Sequence, residues 1–218
     1  MAQMLTSTAQ TSKPFRHAVA ILGLIMATTP ISSFGQSDLR NTFPGRRIGG
    51  GTRGECSARL VANLVPANSI FAPGAGNTIG ILEGPTAQPR PLQLVFKPAG
   101  EQSAASTKRN LPATEAGVTL ITIPAIRRAT IWETAYQCDG GEAAGSVMEL
   151  DFVESASPPA QSLLVPEAKS EDQQAAASLA KLRPFCGKTV PSRDVAETFG
   201  LADAITQEWP QQLPVRCL

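Results

Sequence analysis

The chemistry open to this chain is set first by what it lacks. Its single histidine is His17, close to the N-terminus. The body of the chain therefore has no imidazole to serve a nucleophile–histidine–acid system. Carboxylates, arginines and cysteines remain. Glu133, Asp139, Glu142, Glu149, Asp151 and Glu154 fall in one stretch. Two carboxylates flanking a bond can act as the acid and base of a glycosidase. Glu149 and Asp151, two residues apart on a strand, would share a face. The same pattern describes a solvated strand face, and no spacing singles out a pair, so no catalytic residue is assigned.

The densest charge lies in Arg46, Arg47 and Arg53 around the triplet Gly49-Gly50-Gly51, with Arg59 beyond. Guanidinium forks and glycine amides can converge on an anion or on a partner's acidic group. The alternative is an extended arm whose glycines allow close approach to the fold. Gly49-x-Gly51-x-x-Gly54 has the spacing of a dinucleotide fingerprint. That motif follows a strand and opens a helix. Here two arginines precede it, a cysteine and a strand follow, and no Lys-Ser or Lys-Thr completes a phosphate loop. No cofactor and no metal site are indicated.

The N-terminal 35 residues read as an export signal. Lys13, Arg16 and His17 precede an uncharged apolar run from Ala18 to Ala27, and Ser33-Phe34-Gly35 offers small residues for cleavage before Gln36. An uncleaved anchor is the competing reading. Pro30 and the Ser and Thr residues around it weaken the second half of that segment, whereas a spanning helix wants about 20 mostly apolar residues. No later segment is apolar enough to span a bilayer. Without Lys13 and Arg16, the 19 basic residues of the chain fall just below its 18 acidic ones. Such a balance gives no bulk attraction to nucleic acid.

In an exported chain, Cys56, Cys138, Cys186 and Cys217 imply disulfides. We pair Cys56 with Cys138 and Cys186 with Cys217, because each pair then lies within one compositional region. A thiolate nucleophile or a cysteine-rich zinc site is correspondingly disfavoured.

The elements that must position these residues follow from periodicity. Residues 36–55 form a flexible Gly/Arg-rich leader. Short apolar runs at 59–65, 78–82, 92–97, 118–123, 130–138 and 147–153 are punctuated by Gly and Pro, while Glu101 to Pro112 has no period and reads as a loop. This pattern predicts a mainly β fold, an antiparallel β-sandwich over 56–154. Trp132, Thr134, Tyr136 and Cys138 share a face, and Tyr136-x-Cys138 matches the tyrosine corner of immunoglobulin-like domains. Trp132 lies on the same strand as the cysteine, unlike the antibody pattern. A linker over 155–169 then leads to a disulfide-stapled helical tail over 170–218. Ser170 to Gln173 looks like a capping box. Ala175, Leu179 and Leu182 have helical spacing, Val195 and Phe199 mark a second helix ended by Gly200, and Leu201, Ile205 and Trp209 a third. Phe199 and Trp209 are read as packing residues rather than ligand-stacking ones.

From Phe43 to Val153 the chain resembles the secreted cyanobacterial family known as the domain of unknown function number 928. The resemblance is carried by Phe43-Pro44-Gly45-Arg46-Arg47-Ile48-Gly49-Gly50-Gly51-Thr52-Arg53-Gly54-Glu55-Cys56, by Leu64-Val65-Pro66, and by Trp132 to Asp139. The chain lacks the aromatic stretch typical of members after the first strand. The resemblance implies export, a β-sandwich-like domain and a cyanobacterial source, and no activity. Together these readings make the chain a non-enzymatic binding or structural module of the cell envelope with an envelope or extracellular partner; a carboxylate-based hydrolase of polysaccharide is the alternative. The intact mass of the protein isolated from its own compartment should begin at Gln36 and show one hydrogen lost from each of its 4 cysteines. A mass retaining residues 1–35, or a fully reduced one, would contradict export with two disulfides.

Overall fold

The computed structural model describes residues 36–50, 59–100, 105–137 and 158–218. Arg53, Cys56, Cys138, the carboxylates from Asp139 to Glu154, the expected strand 147–153 and the N-terminal segment lie outside the described residues. What is described is mainly β, arranged in two sheets. The first has the order β1 (Ile48–Gly49), β2 (Val61–Asn63), β4 (Thr78–Glu83), β7 (Gly117–Thr122), β11 (Gln212–Cys217), β10 (Thr189–Pro191). The second runs β3 (Ile70–Phe71), β9 (Ala160–Leu164), β8 (Thr130–Tyr136), β5 (Leu92–Pro98), β6 (Thr107–Leu111).

Five of the expected runs contain strands β2, β4, β5, β7 and β8. The antiparallel expectation needs correction, because both sheets are mixed. β11 runs parallel to β7, and β3 parallel to β9. The parallel pairs arise because late parts of the chain return to lie beside early ones, which a tight hairpin cannot do.

One apolar cluster draws on both sheets, from Val61, Ile79, Ile81 and Ile121 in the first to Leu92, Leu94, Trp132 and Leu164 in the second. The other face of the first sheet is covered as well. Helix α2 (Ser170–Leu182) lays Leu179 over Gly80, where an added Cβ would stand 2.6 Å from a Leu179 methyl carbon. β4 is accordingly buried along its whole length, as expected of a strand covered on both faces.

Residues 155–218 depart most from expectation. Within the expected linker, Ala160–Leu164 forms β9, between β3 and β8. Pro158, Pro159 and Pro166 bracket the strand without entering it, so no ladder N–H is lost. Helix α2 and helix α3 (Ser192–Thr198) stand where helical spacing placed them. The third helix does not form. Ala202–Ala204 makes one 3₁₀ turn, and the chain then extends into β11. Pro210 and Pro214 oppose a helix there, and Leu213 and Val215 alternate inward as strand residues. The tail therefore supplies two strands to the first sheet rather than a separate helical unit.

The capping box is shifted by one residue from Ser170. Lys169 occupies the cap, and its N–H donates to Asp172 Oδ2 at 2.8 Å. Asp172 is fully buried and also accepts from the Ala72 N–H at 3.1 Å and from Arg40 Nη2 at 2.8 Å. Arg40 belongs to α1 (Gln36–Thr42). The described part of the leader is thus bonded to the body of the fold, a correction to the flexible arm. Arg46 exchanges two backbone hydrogen bonds with Gln161 of β9, and β1 pairs with β2.

Two polar devices hold these elements. Asn63 Nδ2 donates to Ser162 Oγ at 3.0 Å, and Thr134 Oγ1 donates to Asn63 Oδ1 at 2.9 Å. All three residues are fully buried and they join the two sheets. Cys186 and Cys217 are bonded, with Cα atoms 5.6 Å apart, and tie the turn after α2 to the end of β11. Asn63→Ala strands two buried hydroxyls, and should lower unfolding stability by about 3 kcal/mol in urea titrations; a loss within experimental error would show that the triad holds nothing. Replacing Cys186 and Cys217 together by serine should cost about 2–4 kcal/mol by the same measurement.

Candidate anion-binding cleft

Of the arginines singled out in the sequence, the described Arg46, Arg47 and Arg59 do not share a common site. Arg47 is half-buried and its guanidinium is occupied by backbone carbonyls. Nη1 donates to Val65 O at 3.0 Å and to Phe199 O at 2.6 Å, and Nη2 to Gly200 O at 2.8 Å. Its own N–H donates to Ser69 Oγ at 3.0 Å. Ser69 is held at a φ of 62°, in the left-handed region that non-glycine residues rarely adopt. Burial lowers the pKa of Arg47. Arg46 alternates to the exposed side and reaches Pro159 O at 3.4 Å. Arg53 lies outside the described residues. Gly49 is required by close approach, since a Cβ there would collide with the backbone of Pro158, Pro159 and Ala160. The described part of the arm is therefore a strap across β2 and β9, and Arg47 clamps it to the end of α3.

A buried ionic cluster lies where β2, β4, β7, β8 and β11 meet. Glu83 is 1% exposed. Arg59 Nη1 stands 3.1 Å from Glu83 Oε1, and Arg59 Nε donates to Gly84 O at 2.6 Å. Thr114 Oγ1 donates to Glu83 Oε2 at 2.7 Å, and Arg216 Nη1 is 3.9 Å away. The Arg59 guanidinium lies 5.2 Å from the centre of the Tyr136 ring, a cation–π arrangement. Burial raises the pKa of Glu83, against the opposing charge of Arg59 and the bond from Thr114. Burial likewise pushes the Tyr136 phenol up. Tyr136 Oη donates to Leu60 O at 3.2 Å, across to the strand entering the other sheet. A tyrosine corner instead bonds backbone a few residues upstream, so this tyrosine serves a different purpose. Glu83 and Arg59 at its centre are closed off from solvent, with Arg216 at the partly exposed margin.

An open recess lies elsewhere, at the Phe96 end of β5. A cleft of about 350 Å³ is lined by Phe96, Ile123 and Ile126 and by Arg109, Arg127 and Arg128, with Thr107, Thr122 and Thr130 at its margins. Among the described residues its charged lining is all arginine, and no described carboxylate lines it. Two other recesses along α2 carry charges of both signs, Lys181 with Asp194 in one and Arg47 with Glu171 in the other.

The local reasons for the cleft are in the strand registers. Leu92, Leu94 and Phe96 of β5 pair with Leu111, Arg109 and Thr107 of β6. Paired residues share a face, so Arg109 and Thr107 stand on the side that Leu92 and Leu94 bury. β6 is the last strand of its sheet among the described residues, so that inward position meets a cleft instead of a core. Opposite it, residues 123–128 leave β7. Their flanks are pinned: the Ile123 N–H donates to Asn77 O at 2.8 Å and the Ala99 N–H to Ala129 O at 3.0 Å. Ile126 packs against the main core and Arg127 stays exposed. The floor is rigid. Phe96 stacks on the fully buried Trp132, with centroids 6.5 Å apart and planes at 14°.

Sequence reasoning missed this site because 101–112 has no period. The only signal was Thr107-x-Arg109-x-Leu111, an alternation with a single apolar member. Of the candidate carboxylates, Glu133 is described. It pairs with Lys97 at 2.8 Å and accepts from Gln161 Nε2 at 3.1 Å, away from the cleft. Among the described residues no three His, Cys, Asp or Glu side chains form a group able to hold a metal ion, and no helix is long and apolar enough to cross a membrane. No family model, no curated protein and no solved structure matches this chain.

Arg59→Met removes the closest cation from the buried Glu83 carboxylate and should cost about 3–5 kcal/mol near neutral pH. Because burial already favours the protonated carboxyl, its favourable contribution is full at low pH and is lost as pH rises through the raised value. The deficit of the variant, followed by urea denaturation, should therefore shrink as pH falls towards the ordinary carboxylate range near about 4.3. A pH-independent deficit would assign the loss to packing alone.

Proposed function

We propose that this protein is a non-enzymatic binding module of the extracytoplasmic space, built as a β-sandwich, whose ligand is an anion held in the cleft between Phe96, Arg109 and Arg127. One observation carries the reading: a concave site whose charged lining is all of one sign. Arginines facing a recess favour carboxylate or phosphate groups, which they bind through paired N–H donors. A hydrolase would need two carboxylates facing one recess; among the described candidates, Glu133 is engaged outside it. The signal-like N-terminal segment and the solvent-exposed Cys186–Cys217 bond support an oxidising compartment. Kinship with the secreted family of unknown function belongs to the same proposal.

Native mass spectrometry of the protein isolated from its own compartment tests the reading. The expected result is a small-molecule adduct that is lost from Arg109→Gln/Arg127→Gln, with both proteins melting alike. A bare wild-type protein, or an adduct indifferent to the substitutions, would overturn it.

A further inference from the structure

The cleft also limits what kind of anion it can take. We propose that its ligand is amphipathic, an oxyanion head group on an apolar body, with about a dozen non-hydrogen atoms in all. This inference rests on the binding-module reading and narrows it.

Two chemistries line the recess. Arg109 and Arg127 come from different elements, the edge strand β6 and the loop after β7, and meet at one space. Neither guanidinium has a hydrogen-bonding or ion-pairing partner among the described residues. An inward charge on an edge strand can serve simply to discourage pairing with another sheet. That accounts for Arg109 and not for Arg127, which lies on a loop. Between the arginines the wall is apolar: Phe96, Ile123, Pro124 and Ile126. A small inorganic anion would satisfy the guanidinium groups and leave this wall in water. A purely apolar ligand would cover the wall and strip water from the arginines without replacing its hydrogen bonds, which is costly. A molecule with both parts satisfies both surfaces at once.

Size follows from volume. About 350 Å³ lies at the lower end of small-molecule sites. At about 30 Å³ for each water-sized group, the space holds about a dozen such groups. The floor is suited to an apolar body, because the Phe96 ring lies on Trp132, whose buried indole N–H has no partner and whose position is fixed by the core. The chain has 2 tryptophans, so Trp209→Phe leaves Trp132 as the sole indole reporter, one ring removed from the ligand.

The test is a titration of the purified protein with sodium decanoate below its micelle concentration. It is followed by Trp132 emission in Trp209→Phe and by calorimetry in the unaltered chain. Acetate, inorganic phosphate, 1-decanol and decyl phosphate are the comparison probes. The expected result is saturable one-to-one binding of decanoate or decyl phosphate, weakened about tenfold or more by Arg109→Gln/Arg127→Gln, with no binding of acetate or decanol. Preference between the two amphiphiles assigns a carboxylate or a phosphate head. Equal binding of acetate or inorganic phosphate would overturn the amphiphile while leaving an anion-binding module standing. Equal binding of decanol would overturn both readings. Failure of every probe, with the protein retained instead on vesicles of anionic phosphatidylglycerol, would make the patch a membrane contact and overturn the proposal. Unchanged melting of the Gln variants shows that any loss is not unfolding.

Discussion

Asn63 is the point at which the architecture is held in one arrangement. Its side chain joins Ser162 of β9 and Thr134 of β8, and its backbone N–H donates to Arg47 O of the strap. Three polar groups buried among Leu, Ile and Trp side chains are tolerated only when each finds its partner. A sliding of either sheet by one residue would turn these groups away from one another and present apolar neighbours in their place. The cost of that mismatch, added to ordinary apolar burial, selects one register for elements drawn from residues 47, 63, 134 and 162.

The layer between the sheets ends differently on its two sides, and this difference creates the candidate site. Beyond Leu92 and Tyr136 it is closed by the buried Glu83 and Arg59, with Thr114 and the partly exposed Arg216 at its margin. Beyond Leu94 it is left open, because β6 brings Arg109 and Thr107 to inward positions and the 123–128 loop brings Arg127 and Arg128. An arginine paired with a buried carboxylate stabilises a core. At the other end Arg109 and Arg127 have no described carboxylate in the cleft lining. Side-chain type is shared by the two ends; a described counter-charge stands at the first and none lines the second.

Covalent and polar ties bring the distant ends of the chain to these sheets. Arg40 to Asp172 fixes α1 to α2, Arg47 fixes the strap to Phe199 and Gly200, and Cys186 to Cys217 fixes the last strand. The C-terminal strand then lies between β7 and β10, so residues 212–217 are part of the first sheet's interior. The disulfide stabilises by limiting the unfolded chain, which suits an element whose parallel partner, β7, lies nearly 100 residues earlier.

The sequence by itself determined the elements whose own period is strong. Thr78–Leu82, Leu92–Lys97 and Val118–Ile123 announce strands by β-branched and alternating residues, and Ala175 with Leu179 announces α2, because local geometry decides which side chains line up. It also determined the absence of an imidazole-based site from residues 36–218. Tertiary structure decided the rest. β1, β3, β9, β10 and β11 are short, proline-flanked or made of small residues, and they become strands only when a partner strand completes their hydrogen bonds. Arg47 and Arg109 are the same residue type in weakly patterned segments; one became a clamp because three carbonyls lie within reach, and the other lines a cleft because β6 ends its sheet. The carbonyls that hold Arg47 come from residues 18 to 153 positions away, and no local window of sequence contains them.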